Sequence, residues 1–126
     1  MGIGVTDTEI FAASTAPPTT AHLPADSLAH PAADELELAA VLHALSDPMR
    51  LRIVAGLATT DHRPCGSFNL PVTKSTCTHH FKVLREAGVI RQRLEGTTRL
   101  NSLRRADLEQ QFPGLLDSVL RAAARY

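Results

Sequence analysis

One segment, residues 73–103, restricts the fold of this chain more than any other. Its first half carries apolar residues at the helical spacings of four and three: Cys77, Phe81 and Leu84. Thr73 can cap such a helix and Gly88 can end it, so a helix is predicted over residues 74–87. In the second half the apolar residues alternate in twos around Glu95-Gly96, which predicts two short strands joined by a hairpin turn.

Two helices are predicted before this segment. Helical periodicity begins at about Asp34, a typical N-cap with Glu37 three residues later. The apolar stripe of this first helix is Leu38, Val41, Leu42 and Leu45. Asp47-Pro48 resembles an N-cap followed by proline at the first helical position, which predicts a second helix over residues 48–58. Its expected buried residues are Met49, Ile53, Val54 and Leu57. The arginines expected to project elsewhere are Arg50 and Arg52.

The remaining elements are short. Residues 59–66 are predicted to form a loop, followed by a helical turn at residues 67–70 that Pro71 ends. After the hairpin, residues 107–111 can form a helical turn, and Pro113 can begin a last helix. The apolar face of that helix is Leu115, Leu116, Val119, Leu120 and Ala123. The predicted fold class is therefore mainly α with a small β-hairpin.

The N-terminal part of the chain has a different composition from the rest. Residues 1–33 contain four prolines and show no helical periodicity, which predicts a disordered arm. Residues 34–126 are predicted to form a single folded domain, as the total length of 126 residues allows. Because the chain has no Trp and only four Phe, that core has to be built mainly from aliphatic side chains, which favours helices.

The charges are sorted along the chain although the formal net charge is zero. Residues 1–47 carry seven acidic side chains and no lysine or arginine, whereas residues 74–105 carry eight basic side chains against two acidic ones. Such a basic stripe suits a polyanion, because each phosphate that a cation neutralises releases a condensed counterion. A solvated helix face with salt bridges would explain the same charges. Charge alone leaves both interpretations open.

The chain lacks the marks of several other classes. Its longest apolar run falls far short of the roughly 18 to 20 residues that span a bilayer, so we expect a cytoplasmic protein without membrane contact. The two cysteines, Cys65 and Cys77, do not make the disulfide framework of a small secreted domain. The sequence has no Gly-rich phosphate loop, metalloprotease helix or activated nucleophile motif, so we expect neither an enzyme nor a bound cofactor.

A short helix, a turn and a capped helix followed by a basic hairpin make a winged helix-turn-helix. The outer face of the capped helix carries short donors and acceptors near its positive end, as entry into a DNA major groove requires. The candidate DNA contacts on this helix are Lys74, Ser75, Thr76, Thr78, His79 and Lys82. The candidate contacts on the wing are Arg91, Arg93 and Arg99. A rival interpretation is a winged-helix module that binds another protein, but such a helix is expected to expose apolar anchors.

Two separated runs resemble the ArsR/SmtB family of bacterial winged-helix repressors: LSDPMRLRIVAGL at residues 45–57 and KSTCTHHFKVLREAGVIRQRLEGTTRLNSL at residues 74–103. The resemblance covers about residues 36–120 and implies that the second run holds the recognition helix. The side chains that it implies as contacts to double-stranded DNA are Ser75, Thr76, Thr78, His79 and Lys82. It also implies that His80 and Phe81 are partly buried supports, that two copies join through the first and last helices, and that a signal releases the DNA.

The chain departs from the metal-sensing members of that family. Their third helix usually holds an E-x-C-x-C segment, whereas residues 65–70 here read CGSFNL, with one cysteine. Other members bind zinc through Asp and His of the last helix, but residues 112–126 contain no His and one acid, Asp117. We therefore expect no metal site of the family's usual kind.

The sequence leaves the inducing signal open. His62 and Cys65 have an H-x-x-C spacing that could present two ligands to Zn²⁺, with Cys77 or His43 as a third, although such a loop is ordinarily solvated. Cys65 or Cys77 could oxidise and move the helix-turn-helix, although Cys77 is most simply a small core residue. Thiol oxidation, a small molecule between the helices, and control by protein abundance alone remain alternatives, with a slight preference for the last.

Two helices are predicted to carry more apolar surface than one core needs. Their stripes are Leu38, Val41, Leu42 and Leu45 on the first helix and Leu116, Val119, Leu120 and Ala123 on the last. A twofold homodimer would bury both stripes and place two recognition helices about 34 Å apart, one turn of DNA. The sequence therefore predicts an inverted-repeat site.

Overall fold

The computed structural model describes residues 28–125, which form a winged helix-turn-helix. Its helices are α1 (Leu38–Ala44), α2 (Pro48–Thr59), α3 (Lys74–Ala87), α4 (Arg105–Gln111) and α5 (Leu115–Ala123). Its strands are β1 (Arg63–Pro64), β2 (Ile90–Glu95) and β3 (Thr98–Leu103). They form an antiparallel sheet in the order β1-β3-β2. The predicted fold class, mainly α with a small hairpin, is confirmed.

The core lies between α1, α2 and α3 and continues beneath the sheet. Its fully buried apolar side chains include Val41, Ile53, Val54, Leu57, Phe81, Leu84, Val89, Ile90 and Leu108. Each such side chain stabilises the fold by about 1.5–3 kcal/mol relative to an exposed position. Phe81 also meets Phe68 edge to face, with ring centroids 5.4 Å apart. Because Phe68 ends a 3-10 turn at Cys65–Phe68, this contact fixes the turn against α3.

The two helix caps predicted from the sequence are present. Asp47 Oδ2 accepts hydrogen bonds from the backbone N–H groups of Met49 (2.8 Å) and Arg50 (3.1 Å), at the start of α2. Thr73 Oγ1 accepts one from the N–H of Thr76 (3.2 Å), at the start of α3. Each cap of this kind contributes about 1 kcal/mol. The start of the recognition helix is therefore fixed by local sequence.

Gly88 ends α3, as the sequence predicts. Its φ is +86°, in the left-handed region, and its N–H donates to the carbonyl of Arg85 (3.0 Å). The space where a Cβ would lie is occupied by the side chain of Leu36, with Pro31 close by. Glycine is therefore required here by both backbone conformation and packing.

The first helix begins later than predicted. α1 starts at Leu38, whereas the expected N-cap was Asp34, and a 3-10 turn occupies Ala33–Glu35 instead. Leu36 has extended backbone angles (φ −69°, ψ 130°) because its side chain turns into the core against Gly88. Because a residue with extended backbone cannot be part of a helix, α1 can begin only after Leu36.

The two apolar stripes are buried in part. On α1, Val41 and Leu45 belong to the core, whereas Leu38 and Leu42 are 47% and 46% exposed. On α5, the side chains in the core are Leu116 and Ala123, and those half-buried are Val119 and Leu120. In the described part of the chain, no helix is long and apolar enough to cross a membrane.

Three local predictions in the rest of the chain are wrong. The loop predicted at residues 59–66 contains β1, which pairs with β3, and a two-residue strand is too short to show any periodicity. The helical turn predicted at residues 67–70 lies at Cys65–Phe68. The last helix begins at Leu115 rather than at the preceding proline, because Gly114 takes a positive φ of +83° before it.

Most of the arm predicted at residues 1–33 lies outside the described residues, and its last six, residues 28–33, are described. His30 Nε2 accepts a hydrogen bond from the backbone N–H of Gln92 in β2 (2.9 Å). Arg104 Nη1 donates to the carbonyl of Pro31 (2.7 Å). The sequence did not indicate these contacts. We refer to residues 28–36, which run over the root of the wing and the end of α3, as the strap.

Candidate nucleic-acid interface

The outer face of α3 is polar and exposed. All six helix residues predicted to contact DNA lie on the surface: Lys74, Ser75, Thr76, Thr78, His79 and Lys82. The inner positions of the same helix are filled by His80, Phe81 and Leu84, which are buried. Helical geometry therefore decides which side chains face outward. Their contact with DNA stays a prediction.

The hydroxyl groups at the start of α3 form a small network. Thr73 Oγ1 donates to Thr76 Oγ1 (2.9 Å) and lies 3.4 Å from Ser75 Oγ. Lys82, further along the helix, lies 4.0 Å from Glu86, in an exposed pair that contributes little to stability. The hydroxyls of Ser75 and Thr76 are thus oriented by the cap before any ligand binds.

The three arginines predicted on the wing are exposed. Arg91 lies 3.5 Å from Asp107, and Arg93 lies 3.2 Å from Glu95. Exposed pairs of this kind are worth about 0–1 kcal/mol, so a phosphate group can replace the carboxylate. Within residues 28–125, Arg99 has no acidic partner within 4.0 Å. All three guanidinium groups are therefore accessible to an anionic ligand.

The tip of the wing is narrow. β2 and β3 are joined by two residues, since Glu95 and Thr98 pair directly. Gly96, the first of the two, has a φ of +66°, whereas Thr97 is not among the residues with positive φ. This combination is that of a type II′ turn at residues 96–97, one residue later than the Glu95-Gly96 turn expected from the sequence.

A groove of about 490 Å³ lies between α3 and the wing. Thr78 and Phe81 border it from α3, Gln92 and Arg99 border it from the wing, and Gly66 borders it from the 3-10 turn. We refer to it as the α3–wing groove. It brings together one predicted base-reading residue, Thr78, and one predicted phosphate-binding residue, Arg99.

A buried polar network lies beneath this groove. Arg85 Nη1 of α3 donates to Gln92 Oε1 (2.8 Å), and Gln92 Nε2 donates to Asn101 Oδ1 (2.7 Å). Gln92 is 2% exposed and Asn101 is fully buried. These hydrogen bonds hold α3 and both strands in one arrangement, although Nε of Arg85 is itself buried without a hydrogen-bond partner. Sequence reasoning missed these residues, although polar side chains at the inward positions of an alternating strand are a usable signal.

A second buried cluster lies on the opposite side of α3. His80, expected to be a partly buried support, is buried, with Nδ1 3.2 Å from Arg50 Nη1 and Nε2 3.8 Å from Asp47 Oδ2. Burial lowers the pKa of His80, Asp47 opposes this effect, and Arg50 and His79 reinforce it. Arg50, expected to project elsewhere, is only 7% exposed, which corrects that prediction. An arginine on a short helix carries no sequence sign of such burial.

Both candidate redox thiols border a second cavity of about 310 Å³, beside the α3–wing groove. Leu70 and Val72 provide apolar walls of this cavity. Cys65 Sγ accepts a hydrogen bond from Asn101 Nδ2 (3.4 Å). Burial raises the pKa of the Cys77 thiol, and the neighbouring Cys65 adds to that rise. Cys77 is therefore protonated at neutral pH and a poor nucleophile.

His62, the loop histidine that could act as a metal ligand, is exposed. His62 has a φ of +60°, a left-handed conformation that non-glycine residues rarely adopt. Across residues 28–125, no group of three or more His, Cys, Asp or Glu side chains is arranged to hold a metal ion.

Two comparisons with known proteins agree with this geometry. Residues 45–93 match the sequence model of a family described as "Helix-turn-helix domain", and this range contains α2, the 3-10 turn and α3. A protein of Bacillus subtilis (strain 168), "Uncharacterized HTH-type transcriptional regulator YceK", is 34% identical over 89 residues. That similarity covers 68% of this chain and 89% of the Bacillus protein. The chain therefore belongs to the helix-turn-helix family of transcriptional regulators.

Proposed function

We propose that this protein is a sequence-specific transcriptional repressor of the ArsR/SmtB type, which binds an inverted-repeat operator as a homodimer. Membership in the helix-turn-helix regulator family supports the DNA-binding part of the proposal. The runs at residues 45–57 and 74–103 that resemble ArsR/SmtB repressors support the repressor part. The proposal includes no enzymatic activity, and it implies a cytoplasmic location because the operator is there.

The observation that carries the proposal is the shared groove of Thr78 and Arg99. With the N-terminal half of α3 in a major groove, a row of phosphates can pass along the α3–wing groove. Thr78 and His79 would then meet base edges, which give specificity, while Arg93 and Arg99 would meet phosphates, which give affinity. One face thus offers both kinds of contact that sequence-specific binding requires.

The homodimer is supported by apolar surface on α1. Leu38 and Leu42 lie one helical turn apart and are both about half exposed. Among the described residues they are the exposed large hydrophobic side chains, and a contiguous apolar patch is a feature of protein contact surfaces. A twofold axis beside α1 would bury both leucines against their counterparts and orient the two α3 helices for an inverted repeat.

The proposal can be tested by selecting bound fragments from a library of random duplex DNA. We expect enrichment of an inverted repeat whose half-sites are about one helical turn apart. The matched control is the double variant Thr78→Ala, His79→Ala, which should enrich no sequence although it keeps the wing arginines. Failure of the unaltered protein to enrich any sequence would favour the rival module that binds another protein.

For the inducing signal, we propose control by protein abundance rather than by a metal or thiol switch. The raised pKa of Cys77 supports this choice, because a protonated thiol oxidises slowly. One observation favours a thiol switch, namely that Cys65 and Cys77 border the same cavity.

Operator affinity should therefore be compared for the unaltered protein, Cys65→Ser, Cys77→Ser and His62→Ala, each with and without peroxide and excess Zn²⁺. We expect no change with either reagent. A loss of binding on oxidation that both substitutions abolish would establish the thiol switch, and a loss with zinc that Cys65→Ser and His62→Ala abolish would establish a loop metal site.

A further inference from the structure

A single buried guanidinium group joins α1, α2 and α3. Arg50, in the first turn of α2, donates through Nε to the carbonyl of Ala44 (2.6 Å) and through Nη2 to that of His43 (3.3 Å). Both carbonyls belong to the end of α1. The third nitrogen of the Arg50 guanidinium group, Nη1, lies 3.2 Å from Nδ1 of His80 in α3. The end of α1 is thus connected to the middle of the recognition helix through one side chain.

The chemistry of arginine decides the proton position on His80. A guanidinium group has only donors, so Nδ1 of His80 has to accept and carries no proton. The neutral ring therefore holds its proton on Nε2, which faces Asp47 Oδ2 at 3.8 Å. The same carboxylate oxygen caps α2 through the N–H groups of Met49 and Arg50. His80 thus lies between Arg50, which can only donate hydrogen bonds, and the carboxylate of Asp47, which accepts them.

We propose that His80 is a positioning residue: as the Nε2–H tautomer between Arg50 and Asp47, it fixes the DNA-reading face of α3 relative to the end of α1, and its protonation weakens operator binding. This inference rests on the proposed function. It assigns a role to Arg50, Asp47 and His80, which themselves contact neither DNA nor the partner subunit in that proposal.

The groups around His80 explain the effect of protonation. Arg50 faces Nδ1 from α2, Asp47 faces Nε2 from the cap of α2, His79 adjoins it on α3, and the end of α1 contributes backbone carbonyls to Arg50 rather than a charge to the ring. A proton on Nδ1 would set donor against donor and cation against cation at Arg50. The ring would have to move away, although Asp47 would still attract it.

A small movement of His80 reaches the DNA-reading residues directly. His79 is its neighbour in the chain, with ring centroids 6.3 Å apart, and Thr76 lies one helical turn before it. Base contacts depend on donor and acceptor positions within a few tenths of an ångström, whereas phosphate contacts through long side chains adapt more easily. Loss of the contact between His80 and Arg50 should therefore reduce affinity for the operator more than affinity for random DNA.

Two substitutions separate the two ring nitrogens. His80→Asn places an amide oxygen near the position of Nδ1, keeps an acceptor for Arg50 and cannot be protonated. His80→Gln, a matched control of the same chemistry, places its oxygen nearer the position of Nε2 and leaves Arg50 Nη1 without its acceptor. We expect His80→Asn to retain operator affinity at pH 7.5 within about twofold, and His80→Gln to lose about tenfold, the range for an unsatisfied buried donor.

The pH profile supplies a readout that a purely structural role would not move. Between pH 7.5 and 5.5 the unaltered protein should lose more operator affinity than His80→Asn, by up to about tenfold if DNA binding shifts the pKa of His80 by one unit. All other ionisable groups are the same in both proteins, so the comparison isolates the contribution of residue 80. This comparison stays informative even if His80→Gln fails to fold.

The tautomer can be observed without DNA. In the free protein at pH 7.5, ¹⁵N chemical shifts of the His80 ring should show an unprotonated Nδ1 and a protonated Nε2. Any one of three results would overturn the inference. The first is a proton on Nδ1 of His80, and the second is equal operator affinity of His80→Asn and His80→Gln. The third is a pH profile of operator affinity that is the same in His80→Asn as in the unaltered protein. Absence of any operator would overturn the proposed function and this inference with it.

Discussion

Gly88 is the single position at which backbone conformation and tertiary packing most clearly require the same residue. Its φ of +86° costs a non-glycine residue about 1–2 kcal/mol, and a Cβ would in addition collide with Leu36. Gly88→Ala should therefore lower the free energy of unfolding by more than the backbone cost alone, as measured by urea denaturation.

Gly114 provides the matched control for this substitution. Its φ is +83°, in the same left-handed region as Gly88, but no atom lies within 4 Å of the position that its Cβ would take. Gly114→Ala should show only the backbone cost. Equal destabilisation by the two substitutions would contradict the packing role assigned to Leu36.

The candidate DNA contacts are expected to divide by chemistry. Thr78→Ala or His79→Ala should reduce discrimination between operator and random DNA, since each base-edge contact is worth roughly 1–3 kcal/mol. Arg93→Ala or Arg99→Ala should weaken both kinds of DNA nearly equally and reduce the salt slope by about one unit per lost phosphate contact. Titrations at several salt concentrations measure both effects. If the wing substitutions changed sequence preference and the helix substitutions did not, the two roles would be reversed.

At the scale of single residues, the exposed half of the candidate site could be predicted and the buried half could not. The helical period places Thr78 and His79 outward without any knowledge of the tertiary structure. Arg50 and Gln92 are different, because their partners are 30 and 9 residues away in the chain. Neither partner can be identified from local spacing, so the polar clusters that support the site depend on the fold being known.

Among the larger elements, the strap is held by a histidine in an unusual setting. Burial lowers the pKa of His30, and nearby positive charges add to that effect, whereas a hydrogen bond to the carbonyl of Leu28 opposes it. The charges concerned are Arg91, Arg104 and Arg85. His30 Nε2 accepts a hydrogen bond from the N–H of Gln92. This nitrogen therefore carries no proton while the contact exists.

The stability of the strap should therefore fall in mild acid. Because the pKa of His30 is lower in the folded than in the unfolded chain, its contribution is complete above the unfolded value of about 6.5 and is lost as the pH falls through the lowered folded value. Urea denaturation at pH 7.5 and 5.5 should show a smaller pH-dependent loss for His30→Asn than for the unaltered protein. His80 contributes with the same sign to the pH dependence of the unaltered protein and of His30→Asn. An identical pH dependence of the free energy of unfolding in these two proteins would therefore argue against a stabilising role of His30 in the strap.

The elements with strong local signals were predicted well. α3 has a cap, an apolar period and a glycine stop, and the structure has it at the predicted residues, Lys74–Ala87. The start of α1 was misplaced because a distant contact between Leu36 and Gly88 overrides the local period. β1 was missed because its pairing partner, β3, follows more than thirty residues later. Long-range contacts thus account for both errors.

On the scale of the whole molecule, the role of the exposed leucines of α1 in the proposed dimer can be tested by introducing a charged side chain. Leu42→Glu should turn the proposed dimer into a monomer, because a buried carboxylate at the twofold contact would face its own copy. Sedimentation at micromolar concentration measures the change. Ala106→Glu, which adds the same charge at an exposed position of α4, should leave the dimer intact. A dimer that persists in Leu42→Glu would exclude this face of α1 as the contact.

The position of β2 in the sheet has one more consequence. β2 is an outer strand, and His30 takes up the N–H of Gln92 on its outward side. An outer strand with free N–H and carbonyl groups is a template on which strands of other molecules can add, and this is a common origin of aggregation. A chain shortened to begin at residue 34 would lack His30 and leave the N–H of Gln92 on that edge without its acceptor. We expect its light scattering to rise with concentration and time while a chain that begins at residue 28 stays clear. That result would show that the strap keeps separate molecules from joining their sheets.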